Sequence, residues 1–454
     1  MNGKKTRKKI VWGVALVIVG ALAVWVSQRW KVWFHNTEEE AYVASAQPHR
    51  ILLTFGDEDG ATSRNVSWQC NSVVKPSWVE LAADSDTVRV EAQGEVFFSR
   101  SGRAAYYVAR LRKLVPDKQY AYRVVTNGHA SSWYGFTTHL ASRTSHLEFL
   151  YVGDVQDTVG GAANRFLREA FSRHPRSEFL VCGGDLTERP TNQHWEETFR
   201  DLDSIGQHVP LLCVTGNHDY LKGVIMRLER RFPLTLSYFL DAKVDDNMVY
   251  TLNYGPAQFF LLDSNREFFY LTTQRSWLER QLKASTAKWK IVVLHHPLFS
   301  LKGNNNLIQR WMFNDLIEDY GVDLVLQGHE HAYARMTRQG TTPVYTVSHC
   351  SPKNYRIQFD DDRFDKFGIS SRYYQTVSID ADTLTMAAYE VYGHTLYDSL
   401  RIIKQKPQPR IEDYGQQIPE YLEFTPEPGS KKDRQFLERI NDYKRLKGLH
   451  SCCP

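Results

Sequence analysis

The chain is poor in cysteine. Six cysteines in 454 residues are too few and too scattered for a disulfide framework. Cys182 and Cys213 lie inside apolar runs, where a free thiol packs as a small hydrophobe. Cys452 and Cys453 are adjacent in a polar tail whose end does not fit a prenylation signal. Strong charge of either sign is also missing, since 56 Lys and Arg stand against 52 Asp and Glu, a net charge of +4. Without a concentrated basic stripe, nucleic acid is not an expected partner. Aromatic residues, by contrast, make up 13% of the chain, which suits packed cores rather than disorder. The length exceeds one ordinary domain.

One long apolar run is present, Ile10 to Val26, behind Lys4, Lys5, Arg7, Lys8 and Lys9. As a helix it spans about 25 Å, enough to cross the core of a bilayer. Trp25, Trp30 and Trp33 fall where an interfacial aromatic belt belongs. The expected layout is a cytoplasmic basic segment 1–9, a transmembrane anchor 10–26 and a polar spacer 27–48, with the basic end inside and the remainder outside the cytoplasm, periplasmic or at the cell surface. The competing reading is a cleaved signal peptide, for which Ala21-Leu22-Ala23 resembles a cleavage site and after which the protein would be secreted.

From His49 to Thr138 short alternating runs separated by turn residues predict half-buried strands, among them Thr87-Val88-Arg89-Val90 and Tyr120-Ala121-Tyr122-Arg123-Val124. About seven strands in ~90 residues indicate an all-β immunoglobulin- or fibronectin-like sandwich over 49–140. A linker is expected at 141–145. Beyond it the texture changes to compact apolar strands alternating with helical patterns. Strands are predicted at Leu147–Val152, Phe179–Cys182, Pro210–Val214, Phe259–Leu262, Ile291–Leu294 and Leu324–Leu326, with a helix at Ala162–Phe171. The fold class is therefore α/β over 146–404: a two-sheet sandwich flanked by helices and completed by strands at 344–347, 375–379 and 385–391. Residues 405–454, rich in proline and charge, read as an extended tail with one amphipathic helix over 434–446.

Each core strand of the second domain ends in a polar cluster: Gly153-Asp154-Val155-Gln156-Asp157, Gly183-Gly184-Asp185, Gly216-Asn217-His218-Asp219, His295-His296-Pro297, and Gly328-His329-Glu330-His331. Ligands in layered α/β domains bind beyond the carboxyl ends of the strands, so five clusters converge on one place. Carboxylates and imidazoles are the usual ligands of Zn²⁺, Fe and Mn²⁺. Glycine lets the chain turn sharply toward an ion. In an extended His-x-His segment both rings share one face. Asp185 can bridge two cations, and two cations about 4 Å apart can clamp a phosphoryl group. His218 is left over as an acid, with Asp219 as its orienter. Any one cluster alone is an ordinary turn; the ordered set of five is what points to a site.

That ordered set resembles the calcineurin-like metallophosphoesterases, and within them the purple acid phosphatases. Gly328-His329-Glu330-His331-Ala332-Tyr333-Ala334-Arg335 is similar to that subgroup's last motif, and a fibronectin-like domain directly precedes the catalytic one. The resemblance covers roughly His49 to Ile403. It implies that Asp154 and His331 bind a first metal, that Asp185 bridges, and that Asn217, His295 and His329 bind a second. It also implies that His218 stabilises the transition state or protonates the leaving oxygen. His295 rather than His296 matches the ligand, because it lies two residues before Pro297. The implied cofactor is a pair of divalent or mixed-valence ions (Fe, Zn or Mn).

Three departures from the subgroup stand out. Glu188 replaces its tyrosine ligand, so no purple charge-transfer colour is expected. Gln156 replaces a glycine and can either offer its carbonyl oxygen as a further ligand to the first metal or serve a structural role. The phosphate-holding histidines after the fourth cluster are replaced by Gly303-Asn304-Asn305-Asn306, a neutral loop from which Asn304 and Asn305 are expected to touch substrate. The expected activity is hydrolysis of phosphomonoesters by a metal-bound hydroxide, acid phosphatase-like, with a phosphate ester as substrate and the membrane as partner. The alternatives are a phosphodiesterase or a lipid- or envelope-directed phosphohydrolase, and a non-catalytic scaffold.

Overall fold

The computed structural model describes residues 2–57, 59–139, 145–158, 160–238, 248–338, 340–360 and 362–449. The linker expected at 141–145 falls almost wholly outside these residues, as do Cys452 and Cys453.

Two sheets face each other across one core. In the first, Tyr373–Asp380, His146–Val152, Leu180–Cys182 and Leu211–Cys213 lie side by side, the last three parallel. In the second, Ala257–Leu261, Trp289–Leu294, Leu324–Gln327 and Thr341–Val347 run parallel. Parallel strands covered on both faces are continuously apolar, which is why Leu180-Val181-Cys182 and Ile291-Val292-Val293-Leu294 carry no alternation. Phe149, Val181 and Leu212 meet Phe259, Val293 and Leu326 in the layer between the sheets. The helix Ala163–Arg173 buries Ala163, Phe166, Leu167 and Ala170, the spacing of a single helical face.

The segment beyond Lys404 is part of the fold. Strand Arg410–Asp413 extends the first sheet along Leu396–Ile403. Helix Lys431–Leu446, whose first turn is capped by Ser430, packs Phe436, Ile440 and Tyr443 onto the outer core of the second sheet. The extended tail expected from the prolines is thus a connector to a docked helix.

The residues from His49 to Thr137 form antiparallel strands around a separate core that includes Trp68, Tyr107, Tyr122 and Phe136. Strand Asp86–Ser99 pairs with Ser77–Ala83 through its first half and with Gly102–Leu111 through its second, so it joins the two layers. This unit is not a detached module: Thr54 of strand His49–Phe55 pairs parallel with Leu211 of the first sheet. The spacer is fixed as well. Glu39 bridges Arg231 at 2.6 Å with both side chains 2% exposed.

The N-terminal run is one helix, Asn2–Phe34. The side chains at 10, 11, 14, 15, 18 and 22 of the expected anchor lie outside the described residues. Among the described residues no helix is long and apolar enough to cross a membrane, so the expected span is not shown.

Candidate metal centre

Five strand-end turns bring their polar side chains together. Asp154, Gln156, Asp185 and His329 all take left-handed backbone conformations, with φ of 43°, 34°, 51° and 66°. Such angles are uncommon for non-glycine residues and cluster at functional sites. His329 is therefore not in extended backbone, and the expectation that His329 and His331 share one face of a strand is corrected. The bend sends the two rings to different neighbours.

His329 Nδ1 lies 2.8 Å from Asn217 Oδ1, which lies 3.2 Å from His295 Nε2. His331 Nε2 lies 3.5 Å from Asp154 Oδ1. Asp185 Oδ2 stands between, 3.4 Å from His295 Nε2. Donor atoms of Asp154, Asp185 and His295, all buried, lie within 4.8 Å of one another. These three side chains form one group that could hold a metal ion.

The remaining ring nitrogens are fixed by the backbone. His295 Nδ1 donates to Gly183 O at 2.9 Å and His331 Nδ1 to Lys353 O at 3.2 Å. A carbonyl on one nitrogen leaves the other free as a ligand. The carboxylates are fixed likewise: Asp154 Oδ2 accepts the His329 N–H at 2.6 Å, and Asp185 Oδ1 accepts the His218 N–H at 2.7 Å.

The donor set fits metal ions. Among the described residues Asp154 Oδ1 and Gln156 Oε1 are buried without a hydrogen-bond partner, a state that is costly unless a cation satisfies it. Gln156 Nε2 donates to Asp185 Oδ2 at 2.8 Å, so the glutamine is oriented with its carbonyl oxygen unspent. Burial would lower the His295 imidazole, but Asp185 and Asp154 outweigh it and hold the group at about 10. Burial would raise the Asp185 carboxyl, yet His295 and His218 hold it below the ordinary carboxylate range. Burial and the neighbouring imidazoles of His296 and His295 push His329 well down. The ionised Asp185 carboxylate and the neutral His329 imidazole are in the states that cation binding requires, whereas His295 would have to give up the proton that Asp185 and Asp154 hold on it.

His218 Nδ1 donates to Glu188 O at 2.6 Å, leaving Nε2 free. The sequence expectation that Asp219 orients this ring is corrected. The Asp219 carboxylate accepts from Gly216 N–H at 2.8 Å and from the Thr187 hydroxyl at 3.4 Å. Asn217–Asp219 forms one 3-10 turn, in which successive side chains leave about 120° apart, so sequence neighbours face different ways. Asp219 fastens the turn; the Glu188 carbonyl orients the imidazole. The Glu188 carboxylate is bound by Lys353 Nζ at 2.5 Å.

Asn304 and Asn305 occupy an exposed turn ahead of helix Leu307–Asp319. The reading of this loop as neutral missed Lys302. Leu301 N–H and Ser300 Oγ both reach Glu330 at 2.5 Å, which folds the loop back onto the His329–His331 segment. Lys302 Nζ then lies 3.5 Å from the centre of the Tyr355 ring, and that ring stacks on His331 at 4.2 Å. The signal available in the sequence was a lysine two residues beyond Ser300, without the latch that brings it in.

Comparison with known proteins bears on the family and the fold. The calcineurin-like phosphoesterase family matches residues 147–333, and the purple acid phosphatase N-terminal domain matches residues 48–138. The chain carries a calcineurin-like phosphoesterase domain behind a purple acid phosphatase N-terminal domain. It is 25% identical over 210 residues to purple acid phosphatase 4 of Arabidopsis thaliana, covering 41% of this chain and 61% of the relative. It is 22% identical over 313 residues to the Fe(3+)-Zn(2+) purple acid phosphatase 12 of the same plant, covering 64% and 65%. The chain thus spans less than two thirds of the length of these relatives. The structure of purple acid phosphatase PPD1 from yellow lupin (Lupinus luteus) seeds superposes with a TM-score of 0.67 at 17% identity, covering 80% of this chain and 75% of that one.

Proposed function

We propose that the chain hydrolyses phosphomonoesters at a dinuclear metal site. Asp154, His331 and Gln156 would hold one ion, Asn217, His295 and His329 the other, and Asp185 both. The observation that carries this reading is the pair of buried, unpartnered oxygens, Asp154 Oδ1 and Gln156 Oε1, beside the shared Asp185 carboxylate. Bound metals supply Lewis acidity and water activation. The chain's own part is positional. His218, held through Nδ1, presents Nε2 to protonate the departing oxygen. Lys302 supplies a positive charge near the centre for a substrate phosphate, in place of the histidines of the purple subgroup. With Glu188 where that subgroup has tyrosine, the loaded protein is expected to be colourless.

The first domain reads as a fibronectin-like sandwich that braces the first sheet. The helix Asn2–Phe34 reads as the membrane anchor, with the catalytic domain outside the cytoplasm. Two features support this: its basic start, and the exposure of Trp12, Leu16, Val17, Val24 and Trp25, which the rest of the chain leaves uncovered.

The test is made on full-length protein in detergent: metal content by plasma mass spectrometry, with turnover of an aryl phosphate and an aryl phosphodiester on the same sample. About two ions per chain, as in two-metal sites, with faster turnover of the monoester supports the reading. Faster diester turnover replaces it with the phosphodiesterase reading. Absence of metal and turnover after supplementation with Zn²⁺, Mn²⁺ or Fe²⁺ leaves the scaffold reading.

A further inference from the structure

Three exposed apolar segments meet on one face beside the metal centre. Val224, 91% exposed, and Ile225 lie in one loop; Phe268 and Phe269, 74% exposed, begin a helix; Ile308 and Trp311, 68% exposed, lie in the first turns of another. Met226 N–H donates to Glu267 Oε1 at 3.2 Å, which sets the first segment against the second. The Phe268 and Trp311 rings stack at 5.9 Å, which joins the second to the third around a groove of about 670 Å³. A contiguous apolar patch of this kind marks an interaction surface rather than scattered exposure.

The end of the N-terminal helix indicates what covers it. Asn36, two residues past that helix, makes a reciprocal pair with Lys222: its Nδ2 donates to Lys222 O at 3.0 Å, and Lys222 N–H donates to its Oδ1 at 2.8 Å. Lys222 is two residues from Val224. Thr37 is held by Arg189 at 2.9 Å, next to Glu188, whose carbonyl fixes the His218 ring. On the other side, Gln309 Nε2 donates to Ser264 O at 3.1 Å, and Ser264 Oγ pairs with His296 Nδ1 at 3.0 Å. Helix exit, apolar patch and metal centre therefore share one face. Lys222 and Arg227, both exposed, add positive charge suited to anionic headgroups.

We propose that this face docks on the bilayer in which the N-terminal helix sits. The patch side chains enter the interfacial layer, and the metal centre opens at the headgroups, so that the substrate class is a phosphoester carried by lipid. The proposal rests on the anchor reading, and its test separates the two. Full-length protein, with Cys452 and Cys453 changed to serine, is reconstituted into vesicles of equal parts phosphatidylcholine and phosphatidylglycerol. Spin labels are placed singly at F269C, I308C and V17C, and at D442C, an exposed position of the C-terminal helix outside the patch. Collision with oxygen reports lipid, and collision with a water-soluble nickel chelate reports solvent. Lipid-like accessibility at Phe269 and Ile308, at the depth of about 5–10 Å typical of interfacial apolar faces, with Asp442 in water, supports docking. Water-like accessibility at Phe269 and Ile308 overturns it. Protection of those two labels from both reagents without vesicles also overturns it, in favour of a second copy of the chain. The Val17 label reports independently whether the helix itself is in lipid.

Discussion

Gly216 lies where the third strand-end turn presses against the Asp185 carboxylate, and Gly216→Ala tests whether that contact matters. Its backbone is extended, with φ −108°, so alanine meets no conformational barrier and only space decides. An added Cβ would stand 2.0 Å from Asp185 Oδ1 and 2.1 Å from Asp185 N, where ordinary contact begins at 3.4 Å. The gap must open by about 1.4 Å. Neither atom is free to give way, because Asp185 is buried and its Oδ1 accepts the His218 N–H. Either Asp185 moves, or the turn carrying Asn217 and His218 moves. A misplacement of ~1 Å at a reacting centre costs ~10²-fold in rate, or ~2.7 kcal/mol of transition-state stabilisation. Stability should fall by only ~1–3 kcal/mol, the usual cost of overpacking. The assay is metal content and kcat/KM on an aryl phosphate, with thermal unfolding as the control for folding. Gly135→Ala serves as the comparison, since its nearest atom is Tyr120 O at 3.6 Å. A folded Gly216→Ala protein with the metal content and kcat/KM of Gly135→Ala would refute the placement of Asp185 at the centre.

His218→Ala should lower kcat by ~10²–10⁴-fold with metal content unchanged; unaltered turnover would remove His218 from proton transfer. Lys302→Met should raise KM and weaken inhibition by inorganic phosphate while changing kcat less, and Lys302→Arg should restore both; equal KM in all three proteins would show that the Lys302 charge does not reach the substrate. Asp201 gives a pH dependence of stability: burial first, then Asp157 and Glu197, push its carboxyl up to about 8. The unfolded chain releases this proton near ~3.9, so the native state holds more protons between the two values. Stability contributed by Asp201 is therefore lost as pH rises from ~4 to 8. Asp201→Asn should flatten that slope in urea unfolding, and an unchanged slope would assign the dependence to other groups.

The five strand ends were legible because each sets a candidate ligand directly behind a buried apolar strand, four of them through a glycine, and short range is where sequence speaks most directly. The strands themselves followed for the same reason: Leu324–Gln327 and Trp289–Leu294 differ from their predicted bounds by two residues at most. What was not legible depended on contacts across long separations. Lys302 lies over Tyr355, the ring stacked on His331, in a loop that Ser300 and Leu301 tie to Glu330, a buried acid between two candidate ligands. Glu39 holds the spacer in place through Arg231, 192 residues away. Pairing of Thr54 with Leu211 makes the first domain continuous with the catalytic sheet, whereas the sequence shows only a change of texture near residue 140. Asp219 failed for a local reason: adjacency in sequence is not adjacency of side chains inside a tight turn.

The left-handed backbone at Asp154, Gln156, Asp185 and His329 connects the fold to its chemistry. Each such residue costs of order 1–3 kcal/mol and persists only where its surroundings over-determine it. Here the surroundings are visible. Asp154 N–H donates to Gly184 O and Gln156 N–H to Asp185 O, both at 3.3 Å, and the Asp154 and Asp185 carboxylates accept backbone N–H groups of the turns that carry His329 and His218. Each turn is thus held by the next, and each ligand's orientation depends on a neighbouring ligand's backbone. A change at one turn should propagate to the others, so the effects of substitutions in different clusters should not add. Combining Gly216→Ala with His218→Ala should cost less than the two losses multiplied, because both act through the turn that Asp185 fastens.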